Sequence, residues 1–180
     1  MRTMPGVAVA LLAAGSSLSF GQAPGQKAPW VTVAPIPVLS VTQGQQGSVN
    51  LQFRVAPGFH INSNTPKSQF LIPTTLKMDP PTDIAIGRVS YPNGKDMSFP
   101  FAADEPLNVY TGDFAVELAV HPLHTVVPGK YAMHGQLKYQ ACDNAACYPP
   151  RTVPVDFQVQ VLKAPRKGGH NPPQSPHAHP

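Results

Sequence analysis

Residues 153–161 read V-P-V-D-F-Q-V-Q-V. Val153, Val155, Phe157, Val159 and Val161 take every second position, and Pro154, Asp156, Gln158 and Gln160 fill the gaps. Successive side chains of an extended chain point to opposite faces, so a strict period of two marks a strand with one face buried. The same period recurs upstream. Val49, Leu51, Phe53 and Val55 alternate with Asn50, Gln52 and Arg54, and Phe114, Val116, Leu118 and Val120 alternate with Ala115, Glu117, Ala119 and His121. Tyr131, Met133, Leu137 and Tyr139 share a face with Gly135, while His134, Gln136, Lys138 and Gln140 point the other way, and by the same parity so does Cys142. No stretch carries a helical period of useful length.

Between these runs lie turn signals at regular spacing: residues 44–47, Pro57-Gly58, Pro92-Asn93-Gly94, Thr111-Gly112 and Pro128-Gly129. Val31 to Val41 reads as extended chain interrupted by Pro35 and Pro37, which suits an edge strand because proline has no N–H to give a ladder. Further strands are expected at residues 70–78, 84–91 and 107–110. Residues 96–106 read as irregular, with Phe99 and Phe101 flanking Pro100. Two aromatics in a proline-containing loop require a reason, and packing back onto the domain's own core is the simplest. Seven to nine short strands of this kind predict an all-β, immunoglobulin-like antiparallel β-sandwich.

Composition sets the outer limits. Only 12% of the residues are charged and 42% are hydrophobic, enough for a substantial core without a strongly charged surface. The 23 prolines in 180 residues exceed the ordinary share of roughly 5% and argue for loops and edges over long helices. The net charge of +4 is spread out, with no dense Lys/Arg run, so no nucleic-acid partner is expected.

Residues 1–21 have the form of a secretory signal: Arg2, a short apolar run over residues 7–14, and small Ser19 and Gly21 before the cleavage point. Residues 22–29 read as a flexible lead-in, residues 30–162 as the domain body, and residues 163–180, rich in Pro and His, as a disordered tail. The mature chain is therefore expected to be soluble and periplasmic or secreted, in a compartment where disulfides persist.

The two cysteines lie between the last two long strands, in Y-Q-A-C-D-N-A-A-C-Y-P-P, residues 139–150. Asp143 and Asn144 favour a turn, so Cys142 and Cys147 sit at the tip of a hairpin-like connection. As a staple the pair contributes about 2 kcal/mol, since it closes only a short loop. As a redox couple it needs an approachable sulfur, a thiolate, and a second sulfur near enough to resolve a mixed disulfide. Lys138, Arg151 or a histidine are the candidate groups to favour the thiolate. A third alternative is a soft metal such as Cu(I) on the cysteines and a histidine, with His170, His177 and His179 as loose ligands in the tail. The residues alone leave a redox carrier, a stapled binding module and a metal handler open, and no cofactor or fixed metal site is expected.

The cysteine segment and the V-P-V-D-F strand after it resemble the N-terminal periplasmic domain of the DsbD thiol:disulfide interchange protein family. G-F-H-I-N-S-N-T-P, residues 58–66, and L-N-V-Y-T-G, residues 107–112, resemble the same family. The resemblance implies an immunoglobulin-like fold and a shuttle of reducing equivalents. A membrane-embedded thiol reductase would be the separate electron donor, since this chain ends in a polar tail where full-length relatives continue into membrane and thioredoxin-like domains. Periplasmic thioredoxin-like or disulfide isomerase proteins would be the acceptors. It further implies that Cys147 attacks the partner and Cys142 resolves, that Phe99 or Phe101 caps the sulfurs, and that His60 and Asn62 lie where they tune the thiol.

Overall fold

The computed structural model describes residues 29–165; the signal sequence, almost all of the lead-in and most of the tail expected above lie outside them. The described chain is built from strands and turns alone, and no helix in it is long and apolar enough to cross a membrane.

The first sheet has the order β1-β3-β9-β6, formed by β1 (Val31–Val33), β3 (Gly47–Val55), β9 (Asp113–Pro122) and β6 (Ile84–Ser90). The alternation read in the sequence is what makes it one-sided: Val49, Leu51, Phe53 and Val55 are buried, while Asn50, Gln52 and Arg54 between them are exposed. Opposite them stand Val116 and Leu118, in register with Leu51 and Val49. The second sheet has the order β12-β10-β13-β2, with β5 paired to β10; its strands are β2 (Leu39–Thr42), β5 (Thr75–Asp79), β10 (Gly129–Tyr139), β12 (Arg151–Pro154) and β13 (Phe157–Leu162). The two sheets bury their apolar faces in one core, in which Leu51, Phe53, Val116 and Leu118 of the first meet Met133, Leu137, Val159 and Val161 of the second. The fold is the immunoglobulin-like sandwich that the strand pattern predicts.

Three details differ from the expectation. Residues 153–161 form two strands: β12 pairs with residues 136–139 of β10 and β13 with residues 129–133, with a break around Val155 and Asp156 that follows Pro154. Pro35 and Pro37 part β1 from β2, so this segment lines the edge of both sheets and β2 runs parallel to β13. Residues 70–74 are not strand; β5 starts only at Thr75, and Phe70 is 87% exposed on the preceding loop.

A third, smaller sheet carries the order β11-β4-β8-β7, from β4 (His60–Asn62), β7 (Lys95–Phe99), β8 (Ala102–Tyr110) and β11 (Ala141–Cys142). The stretch expected to be irregular, residues 96–106, is mostly the β7–β8 hairpin, folded back on itself through Pro100 and Phe101. Its own core is small: Phe99, Leu107 and Val109, with Leu71 and Ala102 against them.

Candidate functional site

The cysteines sit where the chain leaves the second sheet for the third. β10 keeps its parity to Tyr139, Gln140 lies outside any strand, and the next two residues form β11, which pairs with β4. Past the change of sheet both faces of the chain are covered. Ala141 and Cys142 are both completely buried, whereas extending the β10 alternation puts Cys142 on the outer face. Cys147 is only partly buried. The two form a disulfide with an S–S distance of 2.01 Å across an antiparallel bridge pair. The pair is thus not evenly exposed.

The turn between them is organised by Asp143. Its Oδ1 accepts from the backbone N–H groups of Ala145 and Ala146 at 2.8 and 2.9 Å, as turn-forming Asp does. Its Oδ2 accepts from the hydroxyl of Tyr148 at 2.5 Å. The Tyr148 hydroxyl first, then the two amides, hold the Asp143 carboxyl below the usual carboxylate range, and the carboxylate pushes the Tyr148 phenol up. Tyr148 N–H donates to the carbonyl of Ala141 at 2.9 Å, closing the hairpin around the disulfide.

Two aromatic groups flank this turn. On one side, His60 of β4 is the register partner of Cys142. It is 3% exposed, and its ring lies 3.8 Å from that of Phe99, nearly parallel at 14°. Phe101 continues the stack at 5.6 Å from Phe99 and is 38% exposed. Both candidate cap residues therefore belong to one hairpin, laid over the neighbour of Cys142. Burial pushes the His60 imidazole below its ordinary value, with a weaker opposing pull from Asp143, so the ring is neutral at pH 7. On the other side, Trp30, Phe59 and Tyr148 form a cluster with centroids 4.8 to 6.1 Å apart. Arg151, one candidate for favouring a thiolate, has its guanidinium 3.9 Å over the Trp30 ring, and Lys138, a second, lies exposed in β10 between β5 and β12.

Asn62 is fully buried, and its amide bonds hold loops together. Its Nδ2 donates to the Ile72 carbonyl at 3.0 Å and to Gln140 Oε1 at 3.2 Å, and Gln140 Nε2 donates to the Tyr148 carbonyl at 3.2 Å. Asn62 thus braces both ends of the cysteine hairpin. Gln140, Tyr148 and Trp30 were not singled out from the sequence, although Tyr148 adjoins Cys147 and Trp30 is the only tryptophan. Their importance comes from contacts between distant segments. Among the described residues, no group of three or more His, Cys, Asp or Glu side chains is placed to hold a metal ion, and the tail histidines lie outside them.

Solved structures similar to this chain include the Neisseria meningitidis DsbD N-terminal domain in its reduced form, at 24% identity and TM-score 0.41, covering 63% of this chain and 78% of that one. They also include the complex between the DsbD N-terminal and PilB N-terminal domains of the same organism, at 24% identity and TM-score 0.38, covering 61% and 73%. A type I cohesin from Pseudobacteroides cellulosolvens matches at 14% identity and TM-score 0.44, covering 83% and 99%. A search of curated proteins found no match. The family model described as "Thiol:disulfide interchange protein DsbD, N-terminal" matches residues 27–158. That match takes in both cysteines and nearly every strand, and the chain accordingly belongs to the DsbD N-terminal domain family, whose chemistry is thiol–disulfide interchange.

Proposed function

We propose that this protein is an exported carrier of reducing equivalents that works through Cys142 and Cys147. The observation that carries the reading is the unequal burial of the two sulfurs' residues, Cys142 fully enclosed and Cys147 partly open. A staple has no use for such a difference, whereas exchange needs one sulfur that a partner can approach in line and a second one held in reserve. In the reduced state the Cys147 thiolate attacks the disulfide of a periplasmic thioredoxin-like or isomerase-type protein. Cys142 then attacks Cys147, releasing the reduced partner and regenerating the intramolecular bond. A membrane-embedded thiol reductase recharges the pair. The β7–β8 hairpin acts as the cap: with Phe99 and Phe101 stacked over His60, it must swing aside before a partner closes in.

The test is trapping. Cys142→Ser, which leaves Cys147 without its resolving sulfur, should accumulate a mixed disulfide with a cell-envelope protein, and Cys147→Ser should not. Single-cysteine variants that keep full function in cells would instead favour a binding module that merely carries a bond. The reduction potential against glutathione provides a second readout: near about −200 mV for a carrier, below about −300 mV for a staple.

A further inference from the structure

Two buried side-chain polar atoms in the described residues have no hydrogen-bond partner, Nε2 of His60 and Oδ1 of Asn62. Both belong to the three-residue strand β4, and an orphaned buried acceptor or donor is costly enough to require a reason. His60 stands directly opposite Cys142 in the β4–β11 ladder. Residues so paired project from the same face, with Cβ atoms roughly 4.5–5.5 Å apart. The stack on Phe99 fixes the imidazole plane. We infer that His60 is the proton acceptor for the Cys142 thiol in the step that resolves a mixed disulfide. This inference rests on the exchange reading above.

The need arises from burial. Once Cys147 is joined to a partner sulfur, Cys142 is a thiol in a dry site, and burial disfavours its thiolate, the only form that attacks. Neutral His60, in the tautomer that carries its proton on Nδ1, takes the S–H proton on Nε2. The Cys142 thiolate attacks Sγ of Cys147. The Cys142–Cys147 bond forms, and the bond from Cys147 to the partner breaks with its electron pair on the partner sulfur. The dithiol has given up two electrons and the partner disulfide has gained them. The departing thiolate is protonated by the imidazolium or by water, which returns His60 to its neutral form. From β11 the ring is faced by Cys142 and, beyond it, Asp143, whose carboxylate favours the transient imidazolium. From the β7–β8 hairpin it meets Phe99 and Phe101, which do not ionise. On β8, Tyr110 is aligned with the adjacent Ile61, and its hydroxyl is engaged by Asn64 and the Pro92 carbonyl.

Stopped-flow reaction of the reduced full chain with Ellman's reagent separates the two steps. The first aromatic thiolate is released when Cys147 attacks the reagent, the second when Cys142 resolves the adduct. His60→Phe keeps a ring to stack on Phe99 but has no nitrogen, and His60→Gln serves as the companion variant. Both should leave the first release unchanged and slow the second by about 100-fold. Both should also abolish the fall in the wild-type second rate as pH drops through the lowered His60 pKa. Variants that retain the wild-type second rate and its pH dependence would reduce His60 to packing and overturn the inference while leaving the exchange reading intact. No first release from wild type or from Cys142→Ser would sink both.

Discussion

The sandwich and the cysteine end are built to different standards. In the sandwich, β3 and β9 pair over eight positions, and the core between the sheets draws on nearly every strand of both. In the third sheet, β7 exposes four of its five residues, β4 has three residues and β11 two, and the small core beside the cysteine end has only three buried side chains. Both regions use stacked aromatic rings. Phe53 and Phe114, 5.3 Å apart, are both buried in the sandwich, whereas the His60–Phe99–Phe101 stack ends in a half-open ring. Local opening takes place where few apolar contacts must be broken. Stability is thus concentrated in one region, and the proposed uncovering of a sulfur falls to the other.

The contrast can be broken by substitution. Phe53→Ala removes a ring that is 1% exposed from the sandwich and should lower unfolding free energy by about 3–5 kcal/mol in a denaturant titration. The rate at which dithiothreitol reduces the disulfide in the folded protein should not change. If that rate rises as well, the two regions open together and the contrast is false. Phe99→Ala should do the reverse. A ring stack is worth about 1 kcal/mol, so losing it should raise the open population, and with it the reduction rate by dithiothreitol, about fivefold. Its denaturant midpoint should move less than that of Phe53→Ala.

The smallest expected effect lies in the turn itself. Asp143 has a depressed folded pKa, so its contribution is present above the ordinary carboxylate value of about 3.9 and is lost as pH falls through the lower folded value. Tyr148→Phe removes the largest cause of that depression. The midpoint of the Asp143 carboxyl titration by NMR should rise toward the ordinary value but stay below it, because the amides of Ala145 and Ala146 remain. An unmoved midpoint would mean that the two amides hold the carboxylate without help from the phenol.

Legibility in the sequence follows the same division. The β3, β9 and β10 alternations could be read directly, because a strand buried on one face writes its period into consecutive residues. The β7–β8 hairpin could not. In K-D-M-S-F only Phe99 is buried, and Pro100 at the bend suggests irregular chain. The pairing of Cys142 with Cys147 is legible as a turn between strands, whereas the burial of Cys142 is not: the face to which the β10 parity assigns Cys142 is itself covered in the third sheet. The partners that hold this segment are distant as well: Gln140, just before β11, bonds Asn62, 78 residues away, and the Tyr148 carbonyl.

By itself, then, the order of residues determined that this chain forms a two-layer β structure and that its two sulfurs meet at a turn, since period and turn chemistry are local properties. Only the tertiary structure decided which sulfur is enclosed, that a buried imidazole stands opposite it, and that Phe99 and Phe101 lie over that imidazole. Those relations arise when the chain passes from one sheet to another, where β4 and the β7–β8 hairpin cover what would otherwise be an outer face, and no short stretch of sequence contains those partners.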